Sequence, residues 1–252
     1  MAKTMILTGA SRGIGAATAR AAAAAGMNLV LNARSADALE TLASTLGENV
    51  SLVAGDVSDP EVCRSLVATA RERFDGVHAL INNAGILEPI GALDTVPGIE
   101  WEKNLRVNVL GPVLLSQAAI GELRRVRGTI INVSSGAAVK AVRGWSAYCT
   151  AKAALNHFTR MLAAEFAEVT SLAVSPGMTA TDMQAEIRGR GKDRMPADEY
   201  RRFVDAYRAG QLRSPEAVAR TLVRLSLEAP PDWSGEFITV DDPRIAALGG
   251  GT

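Results

Sequence analysis

Short runs of aliphatic and β-branched residues recur along this chain, and stretches of helical character separate them. The first is Met5-Ile6-Leu7, and Met27–Asn32, Val50–Ala54, Val77–Asn82, Thr129–Val133, Ser171–Ser175 and Glu236–Val240 follow. Alternation at this spacing predicts parallel βαβ units. Several runs are apolar throughout, as expected of strands covered on both faces. The expected fold is therefore α/β, a doubly wound, mostly parallel sheet of seven strands. A chain of 252 residues at 48% hydrophobic is ample for one such core and awkward for two, so one domain over residues 1–252 is expected. The glycine-rich tail Gly249–Thr252 is expected to fray.

Charge and cysteine content narrow the function. Acidic and basic residues number 27 each, which leaves no net field to draw in nucleic acid or an anionic membrane. Cys63 and Cys149 are too few for a disulfide framework and match no zinc spacing, so no metal is expected and a reduced, cytoplasmic setting fits. No stretch approaches the ~20 apolar residues of a membrane span, and no signal-like segment opens the chain.

Two motifs carry chemistry. After the first strand comes Thr8-Gly9-Ala10-Ser11-Arg12-Gly13-Ile14-Gly15, then an alanine-rich helix over Ala16–Ala25 closed by Gly26. Glycines let the backbone approach a pyrophosphate, and the free N–H groups at a helix start favour its charge. A tight strand-to-helix turn is the plainer alternative. Farther on, Tyr148 and Lys152 stand four residues apart, on one face of a helix. A tyrosine pKa of about 10 falls beside an ammonium, which would give a proton donor usable near neutral pH. Such a spacing also occurs on ordinary solvated helices.

Taken together, Thr8-Gly9-x-x-x-Gly13-x-Gly15, Gly55-Asp56-Val57, Asn82-Asn83-Ala84-Gly85, Asn108, Ser134-Ser135, Tyr148-x-x-x-Lys152 and Pro176-Gly177 resemble the short-chain dehydrogenases/reductases, in that family's order and roughly its spacing. The resemblance covers nearly the whole chain and implies a single NADP-binding Rossmann domain. On softer features, Gly144–Thr150 and Thr181–Arg188, the chain is most similar to small-ketone reductases typified by benzil reductase and, farther off, sepiapterin reductase.

The resemblance implies roles. Tyr148 would be the general acid, Lys152 its pKa-lowering partner and a ribose contact, Ser135 the holder of the substrate carbonyl, and Asn108, within a long helix, the anchor of a water in the proton relay. Ser134 is the rival to Ser135, but the family spacing to Tyr148 selects Ser135, and a turn role suits Ser134 better. Gly9, Ser11, Arg12, Gly13, Ile14 and Gly15 would cradle the cofactor phosphates. Asp56 and Val57 would border the adenine, with a loop or N-cap carboxylate as the alternative for Asp56. Asn83, Ala84 and Gly85 would flank the riboses mainly through backbone. Pro176, Gly177, Thr179 and Thr181 would meet the carboxamide, although Thr179 departs from the usual apolar residue.

After the second strand, Ala33-Arg34-Ser35 lacks the acid that usually meets a ribose 2′-hydroxyl. Arg34 and Arg12 would instead clamp a 2′-phosphate, so NADPH is expected over NADH. Ser135, Ala137, Trp145, Met178 and Met183, with Ile86 and Leu87, would line a mostly apolar substrate pocket; each apolar one fits ordinary core equally well. His78 and His157 lie away from the motifs and read as packing or surface residues.

Residues 182–213 are strongly charged, with Gly189, Gly191 and Gly210 as possible hinges. They fit either a mobile substrate lid or a solvated helix pair.

The function expected is NADPH-dependent reduction of a small ketone or diketone to a secondary alcohol. Alternatives are a pteridine reductase and a 3-oxoacyl-[acyl-carrier-protein] reductase, for which Arg124, Arg125 and Arg127 offer a basic patch. A non-enzymatic NADP-sensing regulator is the different class, and it would have no need of an intact Asn108, Ser135, Tyr148 and Lys152 set. A homodimer or homotetramer is expected through the long helices around Glu100–Arg125 and Ala147–Glu168.

Overall fold

The computed structural model describes residues 2–248; the tail Gly249–Thr252 lies outside them. In chain order the elements are β1 (Thr4–Thr8), α1 (Gly13–Ala24), β2 (Asn28–Ala33), α2 (Ala36–Ala43), β3 (Val50–Ala54), α3 (Pro60–Phe74) and β4 (Ala79–Asn82). There follow α4 (Gly98–Leu105), α5 (Gly111–Val126), β5 (Thr129–Val133), α6 (Ser146–Glu165) and β6 (Thr170–Ser175). The chain ends with α7 (Asp182–Arg190), α8 (Ala197–Arg208), α9 (Pro215–Glu228), β7 (Phe237–Thr239) and α10 (Pro243–Ala246).

The seven strands form one parallel sheet in the order β3-β2-β1-β4-β5-β6-β7. Strand order reverses between β1 and β4, and ligands of such sheets bind outside the carboxyl ends of the strands at that point. The expected strands are all present. β3 and β5 keep their expected bounds, whereas the run at Val77 becomes regular strand only from Ala79; His78 precedes it, its N–H donating to Thr4 O at 2.9 Å and its Nδ1 accepting from Thr4 N–H at 3.2 Å.

Period-two alternation divides the core. Met5, Leu7, Leu29, Leu31, Ile81 and Ile131 pack under α1 and α9, while Ile6, Val30, Leu80 and Ile130 pack under α3 and α5. Each fully buried Leu or Ile contributes ~1.5–3 kcal/mol. The alanines of α1 have the role of small packing residues against the sheet and α9. Helix starts obey local chemistry: Ser35, Asp59 and Ser214 each accept a backbone N–H, and Pro60 and Pro215 fill the first helical position. Among the described residues no helix is long and apolar enough to cross a membrane.

One helix departs from the sequence expectation. Asn108 does not lie in regular α-helix, because a π-helical segment over Arg106–Leu110 joins α4 to α5. The wider turn accompanies a fully buried Asn108 whose amide is bonded to the loop after β4.

Candidate active site

The turn after β1 passes through Gly9 at φ +64°, and α1 begins at Gly13 at φ +52°. Glycine takes these angles without a steric penalty. A Cβ on Gly15 would stand 2.1 Å from the Gly9 carbonyl oxygen, and one on Gly9 would stand 2.8 Å from Ala84 Cα, so the turn folds tightly onto the loop after β4. Thr8 Oγ1 accepts from the N–H groups of Asn83 and Ala84, both at 3.0 Å. Asn83 Nδ2 donates to the carbonyls of Thr8 and Gly9 at 2.9 and 3.1 Å, which commits its side chain to this clasp.

Of the residues expected to hold a dinucleotide, all but Gly177 and Thr179 line one continuous cleft. It runs from the Gly9–Gly15 turn past Arg34, Asp56, Val57 and Asn83–Gly85 to Tyr148, Lys152, Pro176 and Thr181. Gly177 lies against Arg213, and buried Thr179 donates its hydroxyl to the carbonyls of Pro176 and Gly177, so both shape the loop and neither forms the wall. Asp56 is a loop carboxylate: its Oδ1 accepts from Ser58 N–H and Oγ–H, each at 2.8 Å, while the N-cap of α3 is Asp59.

The start of α1 suits an anion. Its N-cap Arg12 makes no side-chain cap and its first turn holds no acid, which leaves the first N–H groups open to a phosphate. Exposed Arg34 borders the same cleft. Arg12 is engaged otherwise: its Nη1 is 3.0 Å from Asp182 Oδ2 at the start of α7.

At the other end, α6 presents Tyr148 and Lys152 one turn apart, 6% and 4% exposed. Burial pushes the Tyr148 phenol up to about 12, and a hydrogen bond with Ser135 partly offsets this. The expectation that the net shift would be downward is thus corrected; desolvation of a phenolate outweighs its neighbours. Burial also lowers the Lys152 ammonium to about 8. Its Nζ lies 5.6 Å from the Tyr148 ring centroid.

The two serines exchange their expected structural parts. Ser135 is the turn serine, its Oγ accepting from Ala137 N–H at 3.1 Å, while buried Ser134 donates to Asn156 Oδ1 at 2.6 Å. Ser135 nevertheless lies near enough to the Tyr148 hydroxyl to lower its pKa, although Ser134 is the serine that lines the cleft. Asn108 Oδ1 accepts from Ile86 N–H at 3.2 Å and its Nδ2 donates to Ile86 O at 2.8 Å. A Cβ on Gly85 would lie 2.8 Å from Asn108 Oδ1 and 3.6 Å from Lys152 Nζ, so Gly85 keeps both groups beside the cleft.

Several supporting residues escaped the sequence reading. Asn104 Nδ2 reaches the carbonyls of Ile86, Leu87 and Glu88, and Asn104 Oδ1 accepts from Asn108 Nδ2 at 2.9 Å. Asn82 donates to Asn132, its register partner across the sheet, and Asn132 donates to Thr159 on α6. This chain sets the height of α6 over the sheet. An asparagine inside the apolar run Thr129–Val133 was the available signal, since a buried amide requires partners.

The expected substrate wall is only partly in the cleft. Met183 lines it. Ala137, Trp145 and Met178 instead belong to an apolar cluster with Leu87, Ile90, Tyr148, Ile187 and Phe203, closed over by α7 and α8. These two helices are tied down by Arg190 and Arg194 to Glu88 and by Arg143 to Asp198 and Glu199. Gly210 takes φ +65°, as a hinge glycine can, whereas Gly191 is close-packed against Ile187 O.

A parallel sheet in this order, with a glycine turn at its switch point, defines a dinucleotide-binding protein of the Rossmann type. The family model for short chain dehydrogenase matches residues 3–191, and the chain belongs to that family. It is 37% identical to an uncharacterized oxidoreductase of Schizosaccharomyces pombe over 94% of this chain and 95% of the relative. It is 32% identical to the benzil reductase ((S)-benzoin forming) of Bacillus cereus over 94% of this chain and 99% of that one. A short-chain dehydrogenase/reductase structure from Saccharomyces cerevisiae superposes with a TM-score of 0.95 at 32% identity, covering 98% of this chain and 99% of its own. The protein is an oxidoreductase, and its family implies a nicotinamide cofactor and a small-molecule substrate.

Proposed function

We propose that the protein uses NADPH to reduce a small ketone or diketone to a secondary alcohol. The observation that carries this reading is the single cleft with Arg34 and Arg12 at one end and buried Tyr148 and Lys152 at the other, half-buried Ser135 lying beside Tyr148. Gly13–Gly15 would hold the pyrophosphate, Arg34 and Arg12 the 2′-phosphate, and Lys152 the nicotinamide ribose. When bound, the cofactor supplies a hydride.

The chain's own residues do the remaining work. Ser135 orients the carbonyl oxygen. Tyr148, kept protonated by burial, gives its proton to that oxygen as negative charge develops, and Lys152 stabilises the phenolate left behind. Asn108, fixed by Ile86 and Asn104, anchors the path by which Tyr148 is reprotonated. α7 and α8 form the lid that excludes water.

The benzil reductases among the relatives support a diketone or aryl ketone as substrate. Arg124 and Arg125 are paired with Glu168 and Glu122, which weakens the carrier-protein reading. Partly exposed Leu110 and Met161 on the outer helices fit a homodimer or homotetramer, which light scattering tests. The activity is tested by following NADPH absorbance with ketones, diketones, quinones and pteridines. Consumption with none of them, by a protein that binds NADPH, would leave the sensor reading standing.

A further inference from the structure

Trp145 holds a hydrogen-bond donor that the protein does not use. The residue is 5% exposed and its indole N–H has no acceptor. Trp101 shows the contrast, since its indole N–H donates to Ser146 Oγ at 3.2 Å. A buried donor left unpaired costs about 1–3 kcal/mol, so it calls for an explanation.

The position of Trp145 suggests one. The Gly144 turn, at φ +89°, and a bridge to Gly91 fix its backbone at the mouth of α6. Its ring stacks on Phe203 of α8 at 4.9 Å between centroids and meets the Tyr148 ring edge-on at 5.8 Å and 87°. The indole ring that carries the unused donor therefore packs against the ring of the proposed proton donor, within the apolar cluster under the lid. Two further buried polar atoms without partners, Gln184 Oε1 and Arg188 Nη1, are on α7, either side of the inward-packed Ile187. The helix packed over this cluster thus carries unpaired polar groups of its own.

We propose that the compartment beneath α7 and α8 receives a vicinal dicarbonyl with an apolar or aryl substituent, and that the Trp145 N–H donates to the carbonyl oxygen that is not being reduced. This rests on the ketone-reductase reading above and narrows its substrate class. The covalent change is confined to one carbonyl, whose carbon gains the hydride and whose oxygen gains the Tyr148 proton. The neighbouring carbonyl is only hydrogen-bonded. A neutral oxygen is favoured over a carboxylate because one neutral donor among Leu87, Ile90, Val142 and Phe203 does not repay the desolvation of a full charge. The Arg188 guanidinium on α7 is engaged with the ring of exposed Tyr207, 3.9 Å from its centroid.

The test compares wild type with Trp145→Phe, which keeps an aromatic ring, on 1-phenylpropane-1,2-dione, 1-phenylpropan-1-one and benzoylformate with NADPH. Diones are intrinsically more reactive, so the informative quantity is the change in the dione-to-monoketone ratio of kcat/KM. Loss of the N–H should lower it at least about tenfold, as expected when a site built to hydrogen-bond a group loses its donor. An unchanged ratio, or a wild-type preference for benzoylformate over the dione, would overturn the proposal. A second measurement needs neither the variant's folding nor turnover: the indole ¹H–¹⁵N resonance of Trp145 in protein loaded with NADP⁺ should move on addition of the dione and stay in place with the monoketone. A moving resonance without reduction of any ketone would keep the site and sink the reductase reading. Reduction with a stationary resonance would do the reverse.

Discussion

Lys152 Nζ donates to the carbonyl of Val133 at 2.8 Å, which ties the ammonium of α6 to the end of β5. The bond holds a charge in a buried site, and burial lowers its pKa from 10.5 to about 8. A charged Lys152 therefore costs folding stability below pH 8, and the cost fades as pH rises from about 8 towards 10.5.

The pH profile of the proposed ketone reduction follows from this pair. Tyr148, pushed up to about 12, stays protonated through the neutral range, so the alkaline limb belongs to Lys152 losing its proton near 8. Lysine Cε resonances should include one that titrates near that pH and is missing in Lys152→Met. A limb with no matching lysine titration would detach the profile from this residue.

Tyr148→Phe removes the proposed proton donor and no cofactor-binding charge. Turnover should fall by roughly 10²–10⁴-fold, while NADPH affinity, read by fluorescence titration, stays within a few fold. Retention of more than about a tenth of wild-type turnover would rule out general-acid catalysis by this residue.

The two adjacent serines separate chemistry from scaffold. Ser135→Ala should lower kcat with little change in melting temperature. Ser134→Ala breaks the 2.6 Å bond to Asn156 and should lower stability by ~1 kcal/mol, chiefly seen in Tm. Reversed outcomes would transfer the substrate role to Ser134.

Cofactor choice is tested from both sides of the Arg12–Asp182 pair. Arg34→Asp should shift the proposed preference for NADPH towards NADH, as it replaces the proposed phosphate partner by a ribose acceptor. Asp182→Asn frees Arg12 and should lower the NADPH KM a few fold while leaving that for NADH nearly unchanged. Both substrates weakening alike in either variant would count against the arginine assignment.

Asn104→Leu leaves the carbonyls of Ile86, Leu87 and Glu88 without their side-chain donor and Asn108 without its acceptor. Unfolding in urea should show a loss of ~2–4 kcal/mol, and kcat should drop more than KM rises. A fully stable variant would mean the loop holds itself.

What the sequence determined by itself was local and periodic. The run Thr129–Val133 had to be a strand because its residues other than Asn132 are apolar or β-branched, and the glycines at 9, 13 and 15 after the first apolar run marked a turn into a helix. The spacing of Tyr148 and Lys152 set them on one helical face before any fold was known. Their ionisation was not legible, because desolvation depends on what the lid and the loop after β4 bring over them. The same holds for Asn104 against residues 86–88, for Asn132 between Asn82 and Thr159, and for Arg12 against Asp182, 170 positions away. Local propensity reaches one turn along the chain, whereas burial and hydrogen-bond partners are chosen by which distant segments the parallel sheet draws together.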